Sequence, residues 1–302
     1  MTQIEYKKDN KSNLLKDFIK NKFPNLSFSK INKSITKGDI KVNNKKVFWN
    51  YKLDEGDLIQ IYLRNSELNY DSQKLLFLEA KDDLNIIYED KNIIVVSKPK
   101  GVVCQQDSFS KYDFLNNRIK KYLYLKNDNS YLQTNLCHRL DKDASGLCLA
   151  AKNYQTLKKL NKVWNSQQIK KYYQCLCFGF FEKETDLLKF EVYEDKQLKK
   201  MVVNQNKNQT INSITSYKVL KQYESYALVE IQLLTGKKHQ IRVHMAHIKH
   251  PILGDFKYNH LNNLNYQNLC LIAYKIVFNF SKPHYLNYLN NVKIEIPEVK
   301  FK

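Results

Sequence analysis

Three short stretches carry side chains able to do chemistry. The first, HRLDKDASGL, runs from His138 through Arg139 and Asp141 to Gly146 and Leu147. It is an acidic, glycine-containing turn in front of an apolar run, Leu147 to Ala151. An aspartate there either holds backbone amides in an Asx turn or is presented at a sheet edge as nucleophile or base; residue type alone leaves both open. The second is Lys171-Tyr172-Tyr173, inside an apolar run from Ile169 to Phe178. Adjacent tyrosines on a strand point to opposite faces, so at most one can face a site, the usual role being packing. The third runs from Leu234-Thr235-Gly236 through Lys237, Lys238, His239, Gln240 and Arg242 to His244. A strand ends at Gly236 and a helix begins near His239, so Lys237, Lys238 and the helix start offer a phosphate site. Arg242 falls on the first turns of that helix and could pair with a carboxylate. His244, His247 and His250 drift around a helix, and the acidic ligand close by is Asp255 alone. No metal is expected.

The arginines sharpen this. The chain has 302 residues, 50 Lys plus Arg against 30 Asp plus Glu, and a formal charge of +20. That charge favours a polyanion, most often nucleic acid, although an AT-rich coding bias toward Lys, Asn, Ile and Tyr accounts for part of it. Arginine occurs at Arg64, Arg118, Arg139 and Arg242 and nowhere else. Lysine replaces a point charge but not a planar, two-pronged fork, and two of the four sit in the motifs above. The six cysteines are scattered through apolar runs and read as reduced, buried thiols of a cytoplasmic protein. Cys175 and Cys177 share one face of a strand and read as core. No apolar run of about 18 residues suggests a membrane span, and the first residues, MTQIEYKKDNKS, lack the apolar centre of a signal peptide.

Elements must position these residues. Residues 12–64 form a small unit: a helix carrying Leu14, Leu15, Phe18 and Ile19 after a Ser12 cap, a second helix from Ser29 to Lys37 ended by Gly38, a hairpin turning at Asn43-Asn44, and a strand from Leu58 to Leu63. Lys30, Lys33, Lys37, Lys41, Lys45 and Lys46 cluster on helix, turn and hairpin together, which suits an RNA-backbone surface. Residues 65–83 are polar and read as a linker. Residues 84–302 carry a strand at Ile93–Val96, a strand at Leu147–Ala151, a helix capped by Asn153, and strands at Ile169–Phe178 and Tyr226–Leu234. Strands and turns outnumber helices, so the fold class is α+β with a mixed, mostly antiparallel sheet.

HRLDKDASGLCLAAK resembles the HRLDxxTSGLLLxAK signature of the RluA-type pseudouridine synthases. Supporting motifs follow in the family's order: Tyr88 to Asp90 with Ile94 to Gly101, Ile169 to Gly179 around Lys171 and Tyr173, and Leu234 to His244 with Pro251 to Asp255. Residues 12–64 are similar to the S-four RNA-binding module that often precedes this catalytic domain. With Tyr51-Lys52-Leu53 and Gly56-Asp57, that module is most similar to the C type, which acts on large-subunit ribosomal RNA.

The resemblance implies an RNA pseudouridine synthase without cofactor. Asp141 would be the catalytic aspartate, Tyr173 would stack on the target uracil, Arg242 would pair with Asp141, and Arg139 would fill the gap left by a flipped uridine. His138, Lys237, Lys238, His239 and Gln240 would contact RNA beside them. Ser97, Ala144 and Lys237 stand where the family has Asn, Thr and Arg; Lys237 keeps the charge and loses the fork. The expected substrate is a uridine of 23S ribosomal RNA, with transfer RNA as runner-up and a non-catalytic assembly factor on the same fold as the rival. A monomer is favoured.

Overall fold

The computed structural model describes residues 2–8, 13–23, 26–63, 75–204, 210–259 and 266–301. The chain divides into two units, Met1–Leu76 and Phe77–Lys302. In the first, strand β1 (Thr2–Glu5) is followed by helices α1 (Leu15–Lys22) and α2 (Phe28–Lys37), then β2 (Ile40–Val42), β3 (Lys45–Lys46) and β4 (Leu58–Ile61). Four strands form one sheet in the order β1-β4-β2-β3. The helix expected from Ser29 starts one residue earlier, because the Ser27 hydroxyl accepts from Lys30 N–H and caps it. It stops at Gly38, whose φ of 89° suits a left-handed C-cap. Asn43 and Asn44 both take positive φ, 49° and 64°, the conformation a two-residue hairpin turn requires. Helix α1 starts at Leu15 with no side-chain cap, and Ser12 lies outside the described residues, as does Arg64. Leu15, Ile19, Ile31, Ile35, Ile59 and Ile61 are fully buried and close this unit's own core.

The second unit contains β5 (Asn85–Glu89), β6 (Ile93–Lys98), α3 (Leu115–Leu125), β7 (Asn135–Leu136), β8 (Ser145–Ala151), α4 (Tyr154–Val163) and β9 (Ile169–Phe178). It continues through β10 (Thr185–Phe190), β11 (Val192–Asp195), β12 (Lys200–Val203), β13 (Ser213–Gln222), β14 (Tyr226–Leu233), α5 (Gln240–His247), β15 (Leu271–Phe278) and β16 (Lys293–Glu295). Ten of these strands make one sheet, ordered β10-β13-β14-β9-β15-β8-β6-β5, with β16 beside β15 and β7 beside β8. Among the described residues β8 and β15 pair in parallel and the other pairings are antiparallel. The expected mixed, mostly antiparallel sheet is therefore present.

Strand β6 is apolar from Ile93 to Val96 because both of its faces are covered. Ile94 and Val96 of β6 face a core shared with Leu115, Ile119 and Leu123 of α3. Ile93 and Val95 face the opposite core with Leu160 and Val163 of α4. Part of the stretch expected as linker lies on this unit: Phe77 packs its ring on Tyr124 and Tyr131, and Lys81 N–H donates to Asp113.

One register decides where the chemistry sits. Ala273 of β15 pairs with Tyr173 of β9 on one side and with Gly146 of β8 on the other. That brings Tyr173 level with the strand start just after the HRLDKDAS turn. Gly146 has φ of 112°, and a Cβ there would run into the Ala273 backbone, so the close parallel approach requires glycine.

Candidate active site

Asp141 stands on the turn between β7 and β8, whose backbone is clamped from several directions. The His138 Nε2 accepts from Leu149 N–H at 3.1 Å, and its ring stacks on Trp164 with centroids 4.2 Å apart. The Cys104 thiol accepts from Leu140 N–H at 3.2 Å. Lys98, fully buried, gives its three ammonium protons to the carbonyls of Pro99, Val102 and Lys142, at 3.0, 2.8 and 3.0 Å. Burial pushes the Lys98 ammonium down from its ordinary value. A cation whose three donors end on three carbonyls fixes the loop without competing for the Asp141 carboxylate.

The carboxylate is 27% exposed and faces Arg242 of α5, with Nη1 to Oδ2 at 3.2 Å. This expected pair is present, but it is not the main partnership of Arg242. Nε and Nη2 both donate to Asp255, each at 2.8 Å, in a two-pronged fork. The guanidinium also lies 5.2 Å from the centroid of the Tyr258 ring. These partners hold Arg242 firmly charged, its pKa raised against the opposing effect of burial. Asp255 follows Gly254, where a Cβ would meet the Asn268 backbone, so a tight turn delivers the carboxylate under the helix. The sequence placed Asp255 at the end of the third motif and gave it no role; the signal that could have found it was the second arginine motif needing a fully buried anion.

His239, in the left-handed region at φ 53°, places Nε2 3.7 Å from Asp141 Oδ2. Its Nδ1 is 3.0 Å from the Tyr258 hydroxyl, whose oxygen also accepts from Met201 N–H. Burial is the largest influence on His239 and lowers its pKa; Asp141 pulls the other way. Tyr173 lines the same cleft, nearly buried, and burial raises its phenol well above the usual range, so the proton stays on. Tyr172, on the opposite strand face, does not line it. Lys171 donates to Trp164 O at 2.9 Å, and burial pushes it down to about 8.

The cleft around these groups has a volume of about 1570 Å³. Arg139, Lys237 and Lys238 line it and are exposed, although Lys238 pairs with Glu194 at 2.6 Å. Two residues expected to touch RNA, His138 and Gln240, line the cleft and also bond to the protein around it. The His138 ring serves Leu149 and Trp164, as above. Gln240 is buried and its amide joins Thr235, Ile214, Thr215 and the Lys237 N–H. That last bond ties down the backbone just before the helix start. Both side chains brace the motif from within the cleft lining. Of the six N-terminal lysines, Lys30, Lys33, Lys37, Lys45 and Lys46 are exposed and Lys41 is half-buried under the Tyr62 ring.

His244 is fully buried and faces Ser213, Nε2 to Oγ 2.9 Å. The Ser213 hydroxyl donates to Phe190 O, so it accepts from Nε2–H and leaves Nδ1 a lone pair with no partner among the described residues. Burial pushes this imidazole down to about 4. Between that value and the unfolded value of about 6.5, only the unfolded chain takes the proton, so stability falls as pH drops through the window, by on the order of 3 kcal/mol. His138, pushed down to about 3 by burial, acts in the same direction. Urea unfolding at pH 7 and pH 4.5 is expected to show a lower midpoint in acid, and His244→Leu to shrink the difference. An unchanged difference in the variant would place the acid sensitivity elsewhere.

Comparison with known proteins identifies the family. Residues 92–247 match the model of the family described as RNA pseudouridylate synthase. The chain is 34% identical to "Ribosomal large subunit pseudouridine synthase C" of Buchnera aphidicola over 83% of its length and 78% of that protein's. The Vibrio cholerae protein of the same name is 28% identical over 84% and 79%. An uncharacterized RNA pseudouridine synthase of Mycoplasma capricolum is 32% identical over 96% of both chains. Among solved structures, human RNA Pseudouridylate Synthase Domain Containing 4 superposes with a TM-score of 0.58 at 23% identity, covering 72% of this chain and 89% of that one. Human RNA Pseudouridylate Synthase Domain Containing 1 gives 0.55 at 19%, covering 72% and 91%. These two show the fold.

Proposed function

Because the chain belongs to the RNA pseudouridylate synthase family and is an RNA pseudouridine synthase, we propose that its substrate is 23S ribosomal RNA, with Asp141 as the catalytic carboxylate. The relatives in Buchnera and Vibrio are named for the ribosomal large subunit, which favours that RNA. The single observation that carries the mechanism is the Asp141 carboxylate, one-quarter exposed in a basic cleft and held by an arginine that a second, buried carboxylate fixes.

The isomerisation breaks the bond from ribose C1′ to uracil N1, turns the base, forms the bond from C1′ to C5, releases the C5 proton to solvent and leaves N1 to take one up. Atoms balance without redox change. Asp141 can attack uracil C6 or assist departure at C1′. The target must leave its stack, which costs a few kcal/mol and favours loops or single strands. Tyr173, its proton held on by burial, offers a flat face and a hydroxyl donor to the flipped uracil. Arg139, exposed at the rim of the cleft, takes the vacated place. Residues 12–64 act as an S-four-like RNA-binding module joined through residues 65–83 to the catalytic domain, 84–302. No helix among the described residues is long and apolar enough to cross a membrane, and we place the enzyme in the cytoplasm with its substrate.

Tritium release from unmodified 23S transcript labelled at uracil C5 tests the substrate. Release stoichiometric with one or a few uridines is expected. Release from transfer RNA transcript alone would overturn the ribosomal assignment.

A further inference from the structure

We propose that Phe48 and Trp49 form a stacking site for unpaired nucleobases on the N-terminal unit. The inference rests on the RNA reading above but names a contact of a different kind, to base faces rather than to phosphates. Phe48 is 82% exposed and Trp49 50% exposed, adjacent in the chain, where burial of rings this large is the norm. The flanking Val47 and Tyr51 pack against the unit's core, so the two rings turn outward from an anchored backbone. Tyr51 N–H donates to Phe48 O at 3.0 Å and Leu15 N–H to Tyr51 O at 2.9 Å, which closes the turn and ties it to α1. The rings are therefore presented by a braced turn. With Thr36, Lys46 and Val47 they line a concavity of about 380 Å³, near the lower end of ligand pockets, about 300–1,000 Å³.

Charge decides what fits there. Between Leu26 and Leu53 stand seven lysines and a single acid, Asp39. The Lys16 ammonium lies 4.2 Å from the Trp49 ring centroid, placing a cation against the aromatic pair. Exposed aromatics beside a surplus of lysines match a single strand, whose bases stack on rings while its phosphates meet lysines. A duplex hides its base faces and offers only phosphates. The site thus selects unpaired RNA, the same state the catalytic step requires of its target.

The test uses the full-length chain and two labelled RNA decamers, one single-stranded with all bases and one abasic throughout, read by fluorescence anisotropy. Phe48→Ala/Trp49→Ala is expected to weaken the base-bearing decamer about tenfold and the abasic one by less than about twofold. Trp49→Phe is expected to keep the affinity and lose the Trp49 share of the tryptophan quenching that the unlabelled base-bearing decamer produces in the wild type, leaving that of Trp164. An unchanged melting temperature of the double variant excludes unfolding, as expected for rings already in solvent. Equal weakening of both decamers, or none of either, overturns the proposal. Neither outcome depends on turnover, so failure of the 23S assignment would be read separately from failure here.

Discussion

Asp141→Asn is expected to abolish tritium release, by at least about 10⁴-fold, while RNA affinity stays the same or tightens. The substitution is nearly isosteric and removes a charge. In most buried ion pairs that would orphan the cation and cost about 3–5 kcal/mol. Here it does not, because Arg242 keeps both donors of its fork on Asp255 and loses only the single Nη1 contact to Asp141. Asp141 is also 27% exposed, so water solvates what remains. The stability cost is accordingly expected near that of an exposed pair, about 1 kcal/mol or less. Removing a negative charge from a basic cleft also favours a polyanion. Activity and folding thus separate in one variant: turnover gone, melting temperature nearly unchanged, filter-binding affinity retained. Residual turnover within about tenfold of wild type would remove Asp141 from the role of nucleophile or base.

The arginines show how much of this the sequence disclosed. In a chain written largely in lysine, Arg118 and Arg242 each form a two-pronged fork on a carboxylate, Asp113 and Asp255, with contacts of 2.7 to 2.9 Å. The argument from planar geometry therefore holds beyond the two motifs, and Arg118, outside them, shows that a fork can be structural. Its limit is equally physical. Sequence suggested that Arg242 pairs with Asp141, but a fork with three nitrogens has room for two anions, and only the fold places Asp255 under the helix. Lys98 and Tyr258 were hidden for the same reason: their partners are backbone carbonyls, a backbone N–H and an imidazole, which no spacing rule encodes. Helix α3 went unread because Phe114 provides no side-chain cap and its tyrosines and asparagines blur the apolar stripe. Strand β15, central to the sheet, is apolar but for Lys275, and such a run does not distinguish strand from buried helix.

Asp255→Asn carries the second large effect, and it should strike stability and turnover together. The Asp255 side chain is wholly buried, and besides Arg242 its Oδ1 accepts from Lys257 N–H and Tyr258 N–H at 3.1 and 3.2 Å. Asparagine can satisfy those two amides with its oxygen. Its NH₂ then meets Arg242 Nε–H, donor against donor, in a site without room for rearrangement. The expected cost is about 3–5 kcal/mol, which for a unit of this size lowers the melting temperature by roughly 10 °C. Arg242, deprived of its buried anion, has Asp141 as its remaining carboxylate and draws it into a fork. Asp141 would then be turned from the uracil toward the helix. Turnover at a temperature where the variant is fully folded is expected to fall about 100-fold with KM for RNA within about threefold, since the lysines proposed to meet phosphate are untouched. A purely structural Asp255 predicts otherwise: full kcat once the protein is cooled below its transition. Measuring kcat and KM at two temperatures beneath the lowered melting point separates the two, and recovery of wild-type kcat would confine Asp255 to holding the fold.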